Sequence, residues 1–140
     1  MKNLKSIMLG LALLVVCGAA QATEPAPSLT KNYVIHTYIY ALAKGQLTGM
    51  GDIVDENAKF SLLRGKQILS FSKGEVMDNL KLTKNVVMDC TINTSVIEST
   101  PDFTLVKVDM KFTNFVRSNY ITLVNTGAGW KITNVYSVFK

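Results

Sequence analysis

The sequence predicts an α+β domain in which a strongly bent antiparallel sheet wraps around a long N-terminal helix. Apolar residues in the first part of the chain recur with the period of a helix, whereas after Lys84 they alternate as they do in strands. The helical and strand-like stretches are also kept apart along the chain. That order is typical of α+β domains rather than of doubly wound sheets.

The first helix is predicted from Ser28 to Lys44. Ser28 is a suitable N-cap, and Gly45 stands where helices often end in a left-handed residue. A second helix is expected from Ser72 to about Leu82, because Ser72 and Glu75 have the spacing of a capping box. The residues expected to face the sheet are Ile35, Tyr38, Ile39 and Leu42 in the first helix and Val76, Met77 and Leu80 in the second.

Between the helices, residues 47–56 are predicted to form a loop with one turn of helix. A hairpin should follow, with strands at 59–63 and 67–71 around the glycine of Arg64-Gly65-Lys66. The later strands are expected at 86–98, 103–112, 120–124 and 130–139, the last two joined by a turn at 125–129. In the strand at 103–112, the face predicted to be buried carries Val106, Val108, Met110 and Phe112, opposite Lys107, Asp109 and Lys111.

Residues 1–22 are predicted to be a secretory signal peptide. Lys2 and Lys5 precede an uncharged stretch, residues 7–20, and Ala20-Gln21-Ala22 has the small-residue pattern of a cleavage site. The uncharged stretch is shorter than the ~20 residues of a membrane-spanning helix. A lipoprotein is the alternative, since Cys17 ends the stretch, but the preceding Val16 is larger than the small residue expected there.

Cleavage would leave a periplasmic or secreted protein with a leader at 23–28 and a single domain at 29–140, without membrane contact. Its charge would be +3, because two of the 15 basic residues leave with the signal and 10 acidic residues remain. The basic residues are scattered singly, which does not indicate a nucleic-acid partner.

Cys90 would be the one remaining cysteine, which excludes an intrachain disulfide. It is expected to be a small apolar strand residue or, as the alternative, to pair two chains.

Several segments resemble the nuclear transport factor 2-like superfamily, in particular its lumazine-binding branch of small exported bacterial proteins. They are the helix end at 38–46, the strand entry at 55–60, and the last hairpin at 119–124 and 129–135, which contains Gly129-Trp130-Lys131-Ile132. Gln46 and Leu42 depart from the acidic residue and the tryptophan common in that group. The resemblance implies a cone-shaped cup whose open end holds an apolar ligand or an active site, and a dimer formed through the outer face of the sheet.

No complete catalytic set is recognisable in the sequence. The only histidine, His36, is predicted on the flank of the first helix, and a single histidine does not favour a zinc site. Asp109 should point outward and pair with Lys107 or Lys111, and Asp89 is the carboxylate nearest to a rim position. No catalytic residue, metal ligand or cofactor is therefore predicted. The side chains proposed to line the cup are Tyr38, Met77, Met110, Tyr120 and Trp130, although plain core packing is the favoured interpretation of each one.

Three functions remain open from the sequence. The leading hypothesis is a non-catalytic exported module that binds an apolar or aromatic small molecule. The alternatives are an isomerase- or dehydratase-type enzyme with a carboxylate–tyrosine pair, and a structural or interaction domain. A weak homodimer is also predicted through outward-facing Phe103, Leu105, Val135 and Phe139, and sedimentation over a tenfold concentration range would test it.

Overall fold

The computed structural model describes residues 29–140, so the predicted signal peptide and leader lie outside the described residues. Three helices and six strands follow one another in this range. The helices are α1 (Lys31–Lys44), α2 (Met50–Ile53) and α3 (Lys73–Leu82). The strands are β1 (Val54–Arg64), β2 (Gln67–Ser72), β3 (Thr91–Ser99), β4 (Phe103–Lys111), β5 (Val116–Thr126) and β6 (Gly129–Phe139).

The strands form one sheet in the order β2-β1-β6-β5-β4-β3. Four of the five strand pairs are antiparallel, and β1 runs parallel to β6 with a register shift between Val54 and Lys59. Helices α1 and α2 pack on one face of the sheet, which is called the inner face below. The predicted α+β class, with a bent sheet around the first helix, is confirmed.

Helix α1 begins later than the sequence predicted. Thr30, not Ser28, is the N-cap, and its hydroxyl accepts a hydrogen bond from the backbone N–H of Tyr33 at 3.1 Å. The helix cannot begin earlier, because the carbonyl of Leu29 accepts a hydrogen bond from the N–H of Trp130 at 2.8 Å. Gly45 ends the helix in the left-handed conformation, as predicted.

The side of α1 that faces the sheet is centred on Val34, Tyr38 and Ala41, all three of which are buried. Ile35, Ile39 and Leu42 are half-buried and pack at the margins of the same core. The core also takes in α2 and the inner-face residues of the central strands. Its other buried members are Met50, Ile53, Val54, Ala58, Phe60, Val106, Val108, Ile121, Leu123, Ile132 and Val135.

The segment before β3 is not a strand, although alternation predicted one from residue 86. Its backbone instead bonds to the end of α1: the N–H of Asn85 donates to the carbonyl of Gly45 at 3.0 Å, and the N–H of Met88 donates to that of Ala43 at 2.7 Å. The strand therefore begins at Thr91. Residues 83–90 connect α3 to β3 and are bonded to the end of α1.

A bulge in β6 reverses the faces that simple alternation predicts for its second half. Thr122 pairs with Asn134 and the next residue, Leu123, pairs with Ile132, so Thr133 is the extra residue. Val135 and Phe139 therefore face inward, which contradicts their predicted place in an outer dimer surface. The residues that point outward there are Tyr136 and Val138. The weak homodimer stays a prediction, and its apolar surface would be Phe103, Leu105, Tyr136 and Val138.

Strand β4 has a buried apolar face and an opposite charged face, as the sequence predicts. Val106, Val108 and Met110 are buried, and on the opposite face Lys107 Nζ lies 3.7 Å from Asp109 Oδ2. Phe112 lies beyond the end of β4, because its N–H donates to the carbonyl of Phe115 across a tight turn. No helix within residues 29–140 is long and apolar enough to span a membrane.

Candidate functional site

A cavity of about 330 Å³ lies between α1, α3 and the inner face of the sheet. Most of its wall is apolar, and a few polar side chains come from β1, from α3 and its C-cap, and from the last two strands. The lining residues are Tyr38, Leu42, Phe60, Ser61, Leu62, Phe71, Val76, Asn79, Leu80, Thr83, Met88, Arg117, Ser137 and Phe139. A largely apolar cavity with a few converging polar groups is typical of a small-molecule site.

Helix α3 forms one wall of the cavity and is fixed in place at its N-terminus. The Ser72 hydroxyl accepts a hydrogen bond from the Glu75 N–H, and the Glu75 carboxylate accepts one from the Ser72 N–H, so the predicted capping box is present. Lys73 Nζ donates to the carbonyl of Val54 at 3.0 Å and lies 2.7 Å from Glu56 Oε1. No residue of α3 is fully buried, because its apolar side faces the cavity and the margin of the core.

Asn119 connects three lining residues of the cavity, Tyr38, Arg117 and Ser137, by hydrogen bonds. Its side chain is completely buried on the inner face of β5. The amide oxygen, Oδ1, accepts hydrogen bonds from Ser137 Oγ at 2.7 Å, Arg117 Nε at 2.9 Å and the Tyr38 hydroxyl at 3.4 Å. The amide nitrogen donates to the carbonyl of Val108 at 3.1 Å, which fixes the orientation of the amide.

This cluster contains more donors than acceptors. A carbonyl oxygen offers two lone pairs, and three donors converge on Asn119 Oδ1. The Tyr38 hydroxyl has the longest of the three contacts, so it is the donor most readily transferred to another acceptor. Burial raises the pKa of Tyr38 to about 12, partly offset by the positive charge of Arg117. At neutral pH its phenol therefore stays protonated and remains a donor.

Arg117 brings a positive charge to the cavity wall. Its guanidinium carbon lies 5.8 Å from the centroid of the Phe139 ring, and Nε is the atom bonded to Asn119. Within residues 29–140 Arg117 forms no ion pair with any carboxylate. Its terminal nitrogens are therefore the strongest hydrogen-bond donors along the cavity wall, and they suit a planar anion such as a carboxylate.

The described residues that line the cavity include no Asp, Glu or His. The hydroxyl of Tyr38 bonds to an amide, whereas an acid–base pair of the expected kind would place a carboxylate or imidazole there. His36 is exposed on α1, and its ring lies 6.1 Å from that of Tyr40. In the part of the chain that the structure describes, no group of three or more His, Cys, Asp or Glu side chains could hold a metal ion.

The structure places one of the five proposed lining residues, Tyr38, at this cavity. Met77 is half-buried on α3, and Met110 is buried on β4. Tyr120 lies on the outer face of β5, opposite Lys107, since it is one residue out of phase with the inward-facing Asn119. Trp130 packs at the start of β6, with Lys31 Nζ 5.1 Å from its ring centroid. These four residues lie outside the cavity wall.

Sequence reasoning missed the polar residues of the site, Arg117, Asn119 and Ser137. Arg117 and Asn119 precede Ile121 and Leu123 at every second position, so one inward-facing alternation runs through all four. This alternation is visible in the sequence. The strand is predicted to begin only at residue 120, however, so Arg117 and Asn119 are not assigned to it. Ser137 could not be assigned to the inner face without knowledge of the bulge at Thr133.

Comparison with solved structures identifies the fold. A protein of unknown function from Silicibacter pomeroyi DSS-3, described as NTF-2 like, aligns with a TM-score of 0.66 at 14% identity, over 78% of this chain and 92% of that one. An NTF2-like protein of unknown function from Shewanella baltica OS155 aligns with a TM-score of 0.60 at 11% identity, over 77% and 89%.

A third similar structure is a proposed ketosteroid isomerase from Parabacteroides distasonis ATCC 8503. It aligns with a TM-score of 0.55 at 10% identity, over 76% of this chain and 85% of that one. No protein-family model matches the sequence, and no curated protein matches it significantly. Identities this low relate the proteins by fold alone. The described part of the chain therefore has the nuclear transport factor 2-like fold.

Proposed function

We propose that the mature chain is an exported, non-catalytic module that binds an amphipathic small molecule by its anionic head. The head, most simply a carboxylate, would accept hydrogen bonds from Arg117 and from Tyr38. The apolar body would lie against the remaining wall of the cavity. The observation that carries this proposal is an arginine without an acidic partner in residues 29–140, at the wall of an otherwise largely apolar cavity.

The charge of Arg117 supports an anionic head. A half-buried guanidinium interacts with an anion more strongly than an exposed one does, because less water screens the pair. Nε is already bonded to Asn119, so the side chain is held in place before any ligand arrives. A pre-ordered donor loses little conformational entropy on binding. A carboxylate would also relieve the excess of donors around Asn119 Oδ1.

The other walls support an apolar body. Phe60, Phe71 and Phe139 present aromatic surface to the cavity, and Leu62 and Leu80 add aliphatic surface. Each methylene group that a ligand buries here would contribute about 0.8 kcal/mol. A small polar anion such as phosphate would leave this surface unused, so an amphipathic ligand fits better.

The two alternative functions have less support. An isomerase or dehydratase of the expected kind needs a carboxylate beside the tyrosine, and Asn119 occupies that position. An amide cannot take up a proton at neutral pH, so the described residues offer no general base beside Tyr38. A purely structural domain would be expected to fill its interior, whereas a cavity of about 330 Å³ remains.

Replacement of Arg117 tests the anionic head. We expect Arg117→Met to weaken the binding of decanoate about 30-fold, equivalent to about 2 kcal/mol, because the charge-assisted hydrogen bonds are lost. Binding of the neutral alcohol decanol should change little. Isothermal titration calorimetry of both ligands gives the four dissociation constants.

The matched control is Lys111→Met, which removes one positive charge from an exposed position on β4. It should bind decanoate as the parent does, apart from a small change due to net charge. Equal affinity of the parent chain for decanoate and decanol, or an Arg117→Met variant that binds decanoate normally, would contradict the proposal.

The export part of the proposal has a separate test. The intact mass of protein recovered from the periplasm or the medium should correspond to a chain that begins at or near Thr23. A chain that retains Lys2, or that carries lipid on Cys17, would contradict it.

A further inference from the structure

We infer that the ligand carries a long apolar tail, which leaves the cavity past Phe139 and lies in a neighbouring groove. This inference rests on the proposed function and adds the class of ligand: a long-chain acyl or alkyl anion rather than a compact aromatic acid. The groove has a volume of about 520 Å³. Its lining residues are Leu62, Leu63, Arg64, Gly65, Phe115 and Phe139.

The groove and the cavity have common walls. Leu62 at the end of β1 and Phe139 at the end of β6 line both of them. The two spaces are therefore adjacent, and a chain that extends along Phe139 passes from one into the other. Arg64 and Gly65 belong to the groove, so the two spaces together extend from the cavity to the tip of the β1–β2 hairpin.

Phe115 and Phe139 form the aromatic side of the groove, and Phe112 supports them by stacking on Phe115. The rings of Phe112 and Phe115 are stacked with centroids 4.6 Å apart, and those of Phe115 and Phe139 are 6.0 Å apart. Phe115 and Phe139 are each 42% exposed, although both are large and apolar. Exposed apolar surface next to a cavity mouth is a common feature of ligand sites. The backbone bond between Phe112 and Phe115 holds this surface in place.

The distribution of charge gives the ligand a direction. Arg117 lines the cavity and does not line the groove. The single charged residue among the described residues of the groove is Arg64, which is exposed at the hairpin tip. An anionic head would therefore bind the pre-ordered Arg117 inside the cavity. The part of the ligand that reaches the groove would contact mainly leucine and phenylalanine side chains. This arrangement fits an apolar tail that points outward.

The test is a series of straight-chain saturated monocarboxylates from hexanoate to hexadecanoate, each kept below its micelle concentration. In the parent chain, the dissociation constant should fall about fourfold for each methylene group added, and this gain should continue into the long members of the series. In Phe115→Ser, hexanoate should bind as in the parent, whereas the gain for the longest chains should be largely lost.

Val96→Ser is the matched control, since Val96 is an exposed apolar residue on edge strand β3 that lines neither space. It should follow the parent at every chain length. Thermal melting should show that both variants are folded, as expected for changes at exposed positions.

The other outcomes separate this inference from the proposed function. If hexanoate binds through Arg117 but affinity stops rising at short chain lengths, the tail inference is overturned and the proposed function stands. The tail inference is also overturned, and the proposed function stands, if Phe115→Ser weakens the binding of carboxylates of every chain length by the same factor. If no carboxylate binds the parent chain, the proposed function fails, and the tail inference fails with it.

Discussion

Replacing Gly45 by alanine should lower the free energy of unfolding by about 3–4 kcal/mol. Gly45 has a left-handed backbone with φ of 64°, which costs about 1–2 kcal/mol for a residue with a Cβ atom. A Cβ atom there would also lie 2.4 Å from the Asn85 nitrogen and 2.5 Å from the Thr83 oxygen. Both are backbone atoms, so the connection between α3 and β3 would have to move.

Gly65→Ala separates the two causes. Gly65 has nearly the same backbone conformation, with φ of 65°, but a Cβ atom added there would meet no other atom within 4 Å. Gly65→Ala should therefore lower the free energy of unfolding only by the cost of the left-handed backbone, about 1–2 kcal/mol. Denaturant unfolding of both variants measures the difference. If the two alanine variants lost equal stability, the close approach at Gly45 would not be a source of strain.

The position of Gly45 also matters for the cavity. The connection that approaches it contains Thr83 and Met88, and both of these residues line the cavity. Displacement of this connection should therefore alter the cavity wall. The glycine that the sequence marks as a helix end thus also fixes part of the proposed site.

The second large effect is expected for Asn119→Ala, which should lower the free energy of unfolding by about 3–5 kcal/mol. Alanine would remove the acceptor shared by Tyr38, Arg117 and Ser137, together with the donor to the Val108 carbonyl. Each buried polar group left without a partner costs about 1–3 kcal/mol, and water entering the cavity would replace some of the lost bonds.

Asn93→Ala is the control for this variant. Asn93 is an exposed asparagine on edge strand β3, so its loss should change stability by no more than about 0.5 kcal/mol. Chemical denaturation with matched conditions gives both values. A small effect of Asn119→Ala would show that the buried cluster is not held together by this amide.

Much of the fold could be predicted because local patterns and tertiary structure agree. The capping box at Ser72 and Glu75, the left-handed Gly45 and the alternation in β4 are all present as expected. In each of these features, the local backbone conformation favours the residue type that is found there. Such features are visible in a single sequence.

The remaining features depend on contacts between distant residues. The N-cap lies at Thr30 because Leu29 pairs with Trp130, and residues 86–90 are not a strand because they bond to the end of α1. The bulge at Thr133 reverses the predicted faces of Val135 and Phe139. Arg117 and Asn119 were missed because the strand is predicted to begin at residue 120, whereas its pairing with β4 and β6 begins at Val116 and Arg117.

The central claim is that the cavity binds an anionic head at Arg117. A crystal structure of the parent chain with decanoate measures this most directly. We expect the carboxylate oxygens within about 2.7–3.2 Å of the terminal guanidinium nitrogens of Arg117, with the first methylene groups between Phe60 and Phe139. Decanoate bound with its carboxylate at Arg64 or on the outer face of the sheet, and a cavity without ligand, would contradict the claim.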